Sequence, residues 1–288
     1  MRLAYRELRA IGLIALLLWG VWATPAVSTD DAGYLSTTQT LAIGSGALGA
    51  FGIGHAVSRI EEGEKSLWTR PWGIDMTFTR WLGGEMKPGQ MNFLDNEVGS
   101  FLTVAGASAL ILSADLAYPV NTKGKDALHT QFVFVAGALT NKGATDFLKG
   151  IFARPRPLTT LAPEMAIADR PDNYGYRYRS FVSGHASSAF YSMTFLNLKI
   201  RDTMRREMSA DDYRDWRWVP SVVSYAWATF VAYSRIEAYR HYITDVTAGA
   251  LLGIGVATLF FSLTDDIQKE PEAVYAPPAT LLRVSFAF

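Results

Sequence analysis

The sequence predicts an all-α protein, a bundle of about five to six core helices associated with a membrane. Three observations carry that expectation. The apolar runs are longer than ordinary strands, none of them alternates with period two, and short charged islands fall between them rather than within them. Charged residues make up 19% of the chain, below the usual quarter or so, and hydrophobic ones 49%. With 27 basic residues against 27 acidic ones, no charge excess draws the protein to nucleic acid. The absence of cysteine excludes disulfides, thiolate nucleophiles and cysteine metal sites.

Residues 1–26 come first. "MRLAYRELR" is basic, "AIGLIALLLWGVWA" is apolar, and "VWATPA" offers small residues for cleavage after Ala23 or Ala26, the layout of a signal peptide or an uncleaved anchor. Residues 27–96 form an N-terminal helical and interfacial extension. Within it, Gly44, Gly46 and Gly49 match a dinucleotide-binding fingerprint formally, but no strand precedes them. Gly46, Ala50 and Gly54 recur every four residues, so 38–57 reads as a packing helix. Trp68, Trp72 and Trp81, beside Arg and Lys, suit a segment at a membrane interface or an ordinary surface helix.

The core, residues 97–265, holds apolar segments at 99–114, 127–141 (continuing as helix to Phe152), 186–198, 218–233 and 246–264. The last would make a helix of about 28 Å, against about 30 Å of hydrocarbon in a bilayer. The shorter runs would serve equally as core helices of a soluble bundle. The tail, 266–288, alternates Leu282, Val284, Phe286 and Phe288 with Arg283, Ser285 and Ala287. That is a single strand-like signal, which cannot close a barrel and docks on the body or on a membrane surface.

Three charged islands interrupt the apolar segments: "KGIFARPRP" from Lys149, "FVSGHASSAF" around His185, and "YSRIEAYRHYITD" at 233–245. Lys149, Arg154 and Arg156 offer cationic donors suited to a tetrahedral oxyanion. Ser183-Gly184 at a helix start presents backbone N–H groups and the positive end of the helix dipole. His241 and Asp245, four apart, share a helix face, so the carboxylate could hold one ring nitrogen and leave the other as nucleophile or base. His185 is then available as a general acid. Taken singly, each has an ordinary reading: a basic helix cap, a satisfied core histidine, a structural ion pair. What changes the reading is that all three islands fall at helix junctions and contain two of the four histidines, His55 and His129 lying elsewhere.

Together the islands resemble the three-part signature of the type 2 phosphatidic acid phosphatase superfamily, which includes vanadium haloperoxidases and bacterial acid phosphatases. Lys149, Arg156 and Pro157 match Lys-x6-Arg-Pro. Ser183, Gly184 and His185 match the second part, with Val182 where the family has proline. Ser234, Arg235, His241 and Asp245 match Ser-Arg-x5-His-x3-Asp. Arg154-Pro155 offers a competing pair two residues early; the spacing favours Arg156, with Arg154 assisting. The resemblance implies an acid phosphatase/haloperoxidase-like helical fold over about 97–265. It casts His241 as nucleophile, Asp245 as its orienting partner and His185 as acid and later base. Lys149, Arg156, Arg235, Ser183 and Gly184 would hold the phosphoryl group. It implies no metal and no cofactor, with vanadate as a phosphate mimic, because cationic side chains stabilise the charge.

The expected function is hydrolysis of phosphate esters or pyrophosphates, of lipids or of small esters, through a phosphohistidine. The expected place is a bacterial cell membrane, after export, with the site facing the periplasm. The alternatives are a soluble periplasmic acid phosphatase of broad specificity, and a vanadium haloperoxidase or non-catalytic member. The Arg-rich stretch 199–218, the basic N-terminus and Lys123/Lys125 suit the cytoplasmic side. Four apolar segments precede Lys149, an even count that would return the site to the cytoplasm. The expectation is therefore that 38–57 does not span.

Overall fold

A computed structural model describes residues 34–59, 66–67, 70–84, 98–169 and 172–264. The N-terminal signal or anchor, Trp68 and the strand-like tail lie outside the described residues. Among the described residues the regular elements are helices: α1 (Thr37–Val57), α2 (Gly73–Leu82), α3 (Val98–Ala117), α4 (Lys123–Phe152), α5 (Pro157–Leu161), α6 (Pro163–Asp169), α7 (Tyr174–Arg177), α8 (Gly184–Glu207), α9 (Ala210–Trp216), α10 (Val219–Glu237) and α11 (Ile243–Ser262). All five apolar segments of the core are helical. The helix expected over 186–198 runs on to Glu207, because Asp202 pairs with Arg205 and Arg206 one turn further along and keeps the polar stretch wound.

Six long helices build the body, and their contacts fix their directions. Helix α1 lies parallel to α4, Gly54 meeting Gly143 and Val57 meeting Gly150 so closely that a Cβ at these glycines would strike the partner's backbone. Its buried stripe is Ala47, Ala50, Gly54 and Val57, sharing two positions with the expected ridge but turning through Ala47 rather than Gly46. Helices α8 and α11 also run parallel, Gly249 and Gly253 resting on the backbone of Ser183 and Ser187. Helix α3 approaches α4 through Ser108 and Gln131, and α8 through Asp115 and Lys199. Aromatic side chains fill the space between them: Phe195 stands edge-on to Phe134 and to Phe261, and the Tyr191 hydroxyl donates to the Phe134 carbonyl at 2.6 Å.

Thus α1, α4 and α10 finish at one end of the bundle, while α8 and α11 begin there. Helix α1 runs beside α4 toward that end, and it is one of three helices, with α3 and α11, long and apolar enough to cross a membrane. Glycine weakens a helix in water, but here it lets two backbones approach closely, and packing offsets the weak propensity.

The sides of the bundle carry exposed Leu48, Phe101, Leu110, Val223, Phe230 and Leu251. An apolar surface of this extent, on helices of bilayer length, is that of a membrane protein.

Candidate active site

The three islands meet where α4 and α10 end and α8 and α11 begin. Lys149 sits in the last turn of α4, which stops at Ala153, a non-glycine residue held in the left-handed region (φ 43°). Arg156 caps α5, Ser183 caps α8, Gly184 and His185 open α8, Arg235 lies in the last turn of α10, and Asp245 in the first turn of α11. His241 stands in the loop between α10 and α11, its N–H and that of Arg240 both donating to the Arg235 carbonyl.

All eight expected residues come together. The Lys149 Nζ lies so near Gly184 that a Cβ there would stand 2.8 Å from it, which places the end of the first island on the start of α8. The Ser183 N–H donates to the Asp245 carbonyl at 3.0 Å, joining the second island to the third. Arg156 donates through Nη1 to the Arg240 carbonyl and through Nε to the Tyr176 carbonyl, both at 2.8 Å, and its guanidinium stacks 4.0 Å from the Tyr176 ring centre. The family proline is replaced by Val182, and the Phe181–Val182 peptide is cis.

His241 is 2% exposed. Its Nδ1 lies 2.7 Å from the Ser180 carbonyl oxygen. A carbonyl only accepts, so Nδ1 carries the proton and Nε2 presents its lone pair. Burial first, and then the charges of Arg156, Lys149, Arg235 and His185, hold the imidazole well below its usual pKa and keep it neutral. Burial likewise pulls Lys149 down to about 7, Asp146 opposing it, and Arg156 down to about 10.

Asp245 is not the direct partner expected for His241. Its nearest oxygen is 3.9 Å from Nδ1. Instead the carboxylate accepts from the Ser180 hydroxyl at 2.6 Å and the Tyr242 N–H at 2.9 Å, and pairs with Arg154. Asp245 thus orients the histidine through Ser180, whose hydroxyl it holds and whose carbonyl holds the ring.

Arg154, expected to assist at the phosphate, is turned elsewhere. Its guanidinium lies between Asp245 and Asp75, donates to the Thr244 hydroxyl at 2.9 Å, and packs against the Tyr242 ring. Only Pro155 separates Arg154 from Arg156, and the two side chains take different partners, Arg154 with Asp75 and Asp245 and Arg156 with the Tyr176 and Arg240 carbonyls.

Several residues at the site carry no mark in the sequence motifs. Ser180 is one. Asp146, gripped by Lys142 and by Arg179 at 3.0 Å, stands 3.8 Å from the Lys149 Nζ. Asp75, from α2, is the third. An aspartate on the buried face of a short helix was the available signal, and Asp75 and Thr79, four apart, are that face.

The arrangement suits an anion: cations and a helix N-terminus gathered around a neutral histidine whose Nδ1 is held by the Ser180 carbonyl. The comparisons with known proteins agree with that class. Residues 130–269 match the family model of the PAP2 superfamily, and the chain carries a PAP2 superfamily domain. It is similar to phospholipid phosphatase 2 of Homo sapiens, 29% identical over 157 residues, 47% of this chain and 51% of that protein. It is 36% identical to the probable lipid phosphate phosphatase beta of Arabidopsis thaliana over 141 residues, 44% of this chain and 62% of that one. It is 31% identical to the probable diacylglycerol pyrophosphate phosphatase 1 of Schizosaccharomyces pombe over 84 residues, 29% of each. The chain spans about half the length of the curated relatives it matches first. No solved structure matches it.

Proposed function

We propose that this protein is a phosphatase of the PAP2 type that hydrolyses phosphate esters or pyrophosphates of lipids through a phosphohistidine on His241. The observation that carries the reading is a buried, neutral His241 whose Nδ1 is held by the Ser180 carbonyl, leaving Nε2 as the nucleophilic nitrogen, among the charges of Lys149, Arg156 and Arg235.

His241 Nε2 attacks phosphorus. The N–P bond forms as the bond to the leaving oxygen breaks, and His185 gives its proton to that oxygen. Attack leaves the imidazole ring positively charged, with Nδ1–H still on Ser180. A water then attacks phosphorus, the N–P bond breaks, and His185 takes the water's proton. Lys149, Arg156 and Arg235, with the Gly184 N–H at the head of α8, bind the phosphoryl oxygens and stabilise their charge throughout.

A lipid substrate is supported by the depth of the site. The twenty residues of α11 make a helix of about 30 Å, the thickness of a bilayer's hydrocarbon core. Asp245 lies in its first turn and His241 just before it, so the site sits at headgroup depth. The relatives named for lipid phosphates point the same way.

The charge of the loops supports one orientation. Lys123 and Lys125 start α4, Arg205 and Arg206 end α8, and Arg214 lies in α9, so these basic residues gather at the end away from His241. With that end cytoplasmic, the site faces the opposite, exported side.

The test is phosphate release from lipid phosphates in mixed micelles and from water-soluble esters, run with the His241→Ala variant. Turnover by wild type, its loss in the variant, and an acid-labile phosphoryl group on the His241 peptide are expected. Turnover by His241→Ala equal to wild type overturns the mechanism; preference for soluble esters overturns the lipid assignment.

A further inference from the structure

Asp75 lies outside the residues that match the PAP2 superfamily, on a helix preceding the core by sequence, yet it is fully buried against the site. Its Oδ2 accepts from Arg154 Nη2 at 2.6 Å and from the Trp72 N–H at 3.0 Å. Its Oδ1 accepts from the Thr244 hydroxyl at 2.6 Å and the Thr244 N–H at 3.2 Å. Asp245 does the same on the other side of Arg154. Each aspartate is the third residue of its helix, each reaches back to its own cap N–H, and each grips the same guanidinium.

We infer that Asp75 is a positioning residue of the catalytic centre, acting on His241 through Arg154, Asp245 and Ser180, so that α2 is part of the catalytic unit. The inference rests on the phosphatase reading above. Two features make Asp75 more than a helix cap. The first is continuity: every link from Asp75 to the His241 ring is a hydrogen bond between buried groups. The second is charge. Phosphorylation makes the imidazole ring cationic, and the groups behind it must offset that change. Arg154 with Asp245 alone sums to zero; Arg154 with both aspartates sums to one negative charge. Asp75 thereby supplies the negative field that Asp245, neutralised by Arg154, lacks. Its contribution appears as the phosphohistidine forms and not when the substrate binds.

That timing separates a positioning role from a structural one. The experiment uses the full chain in detergent, with a lipid phosphate in mixed micelles and a soluble phosphate monoester as substrates. Asp75→Asn keeps the shape and the acceptor facing Thr244 but removes the charge. The expected result is a fall in kcat of about tenfold to a hundredfold, KM within about threefold of wild type, and a phosphoenzyme that forms more slowly by the same factor. Competitive inhibition by inorganic phosphate should stay within about threefold, because the phosphate pocket is untouched. Thr244→Val removes the hydroxyl that donates to Asp75 and accepts from Arg154, and is the second variant, expected to lower kcat about threefold at constant KM. A folded Asp75→Asn with wild-type kcat overturns the inference, as does a fall carried by KM rather than kcat. Should Asp75→Asn not fold, Thr244→Val decides: wild-type kcat in that variant overturns it. Wild type that releases no phosphate from either substrate overturns the phosphatase reading itself. An active wild type with an inactive His241→Ala and an unaffected Asp75→Asn overturns this inference alone.

Discussion

The bundle buries charge at both ends, and the two ends treat it differently. Far from the site, the Lys199 ammonium is paired with Asp115 between α8 and α3, the Tyr34 hydroxyl donates to Asp126 at 2.6 Å, and Asp202 holds Arg205 and Arg206. Cation meets carboxylate there, and the result is helix-to-helix fastening. At the site end, Lys149, Arg156 and Arg235 converge on one neutral histidine, and each depresses the proton affinity of its neighbour. Buried like charges cost free energy unless something compensates them. Asp146 offsets part of that cost at Lys149, and the remaining positive charge suits an anion that arrives from outside.

That contrast can be broken or sharpened by substitution. The largest effect is expected for His241→Ala, which should lower kcat by about four orders of magnitude or more while leaving thermal unfolding unchanged, since the nucleophile is lost and the bundle is not. Kinetics and a melting curve on the same preparation check it. At the far end the expectation reverses. Asp115→Asn leaves Lys199 buried without its carboxylate and should cost about 3–5 kcal/mol of stability, with kcat of the folded fraction unchanged. Replacing Lys199 by Met in the same chain should recover much of that loss; a variant as unstable as the single one would refute the pairing argument.

A smaller effect concerns pH. Lys149, drawn down to about 7 by burial, is cationic below that pH and neutral above it. The value of kcat/KM should therefore fall about tenfold per pH unit as pH rises through 7 and beyond, until another step takes over. Lys149→Arg should flatten this limb, because a guanidinium keeps its proton. A profile unchanged by that substitution would remove Lys149 from phosphate binding. His241, held well below its ordinary pKa, should add no loss of activity between pH 8 and about 6.5. The smallest effect is expected for Gly184→Ala. Its new methyl group would displace the flexible end of Lys149 rather than backbone, raising KM severalfold with little change in kcat.

The proposed catalytic residues were legible from local spacing. His241, His185, Lys149, Arg156 and Arg235 each belong to a run of residues whose order is enough to find them, and the structure gathers all of them. Their supports were not. Ser180 acts mainly through a backbone carbonyl, which any residue possesses, so no side-chain pattern announces it. The partner of Asp245 was misread for the same reason: an i, i+4 pair is a sequence fact, but its geometry depends on where α11 begins, and α11 begins after His241. Arg154 looked like a second phosphate cation until its two carboxylates were in place.

By itself the sequence determined the class of fold and named the residues that meet at the proposed site, because helix length, apolar runs and motif spacing are local properties. The register of 38–57 and the role of 73–82 were decided only in three dimensions. The small-residue ridge of α1 is visible in the sequence, but α4 decides that it turns through Ala47 rather than Gly46. The carboxylate of Asp75 looks like a surface charge until the fold brings it to Arg154, 79 residues away in the chain. A hydrogen-bond relay is a property of distance in space, and a linear chain does not record it.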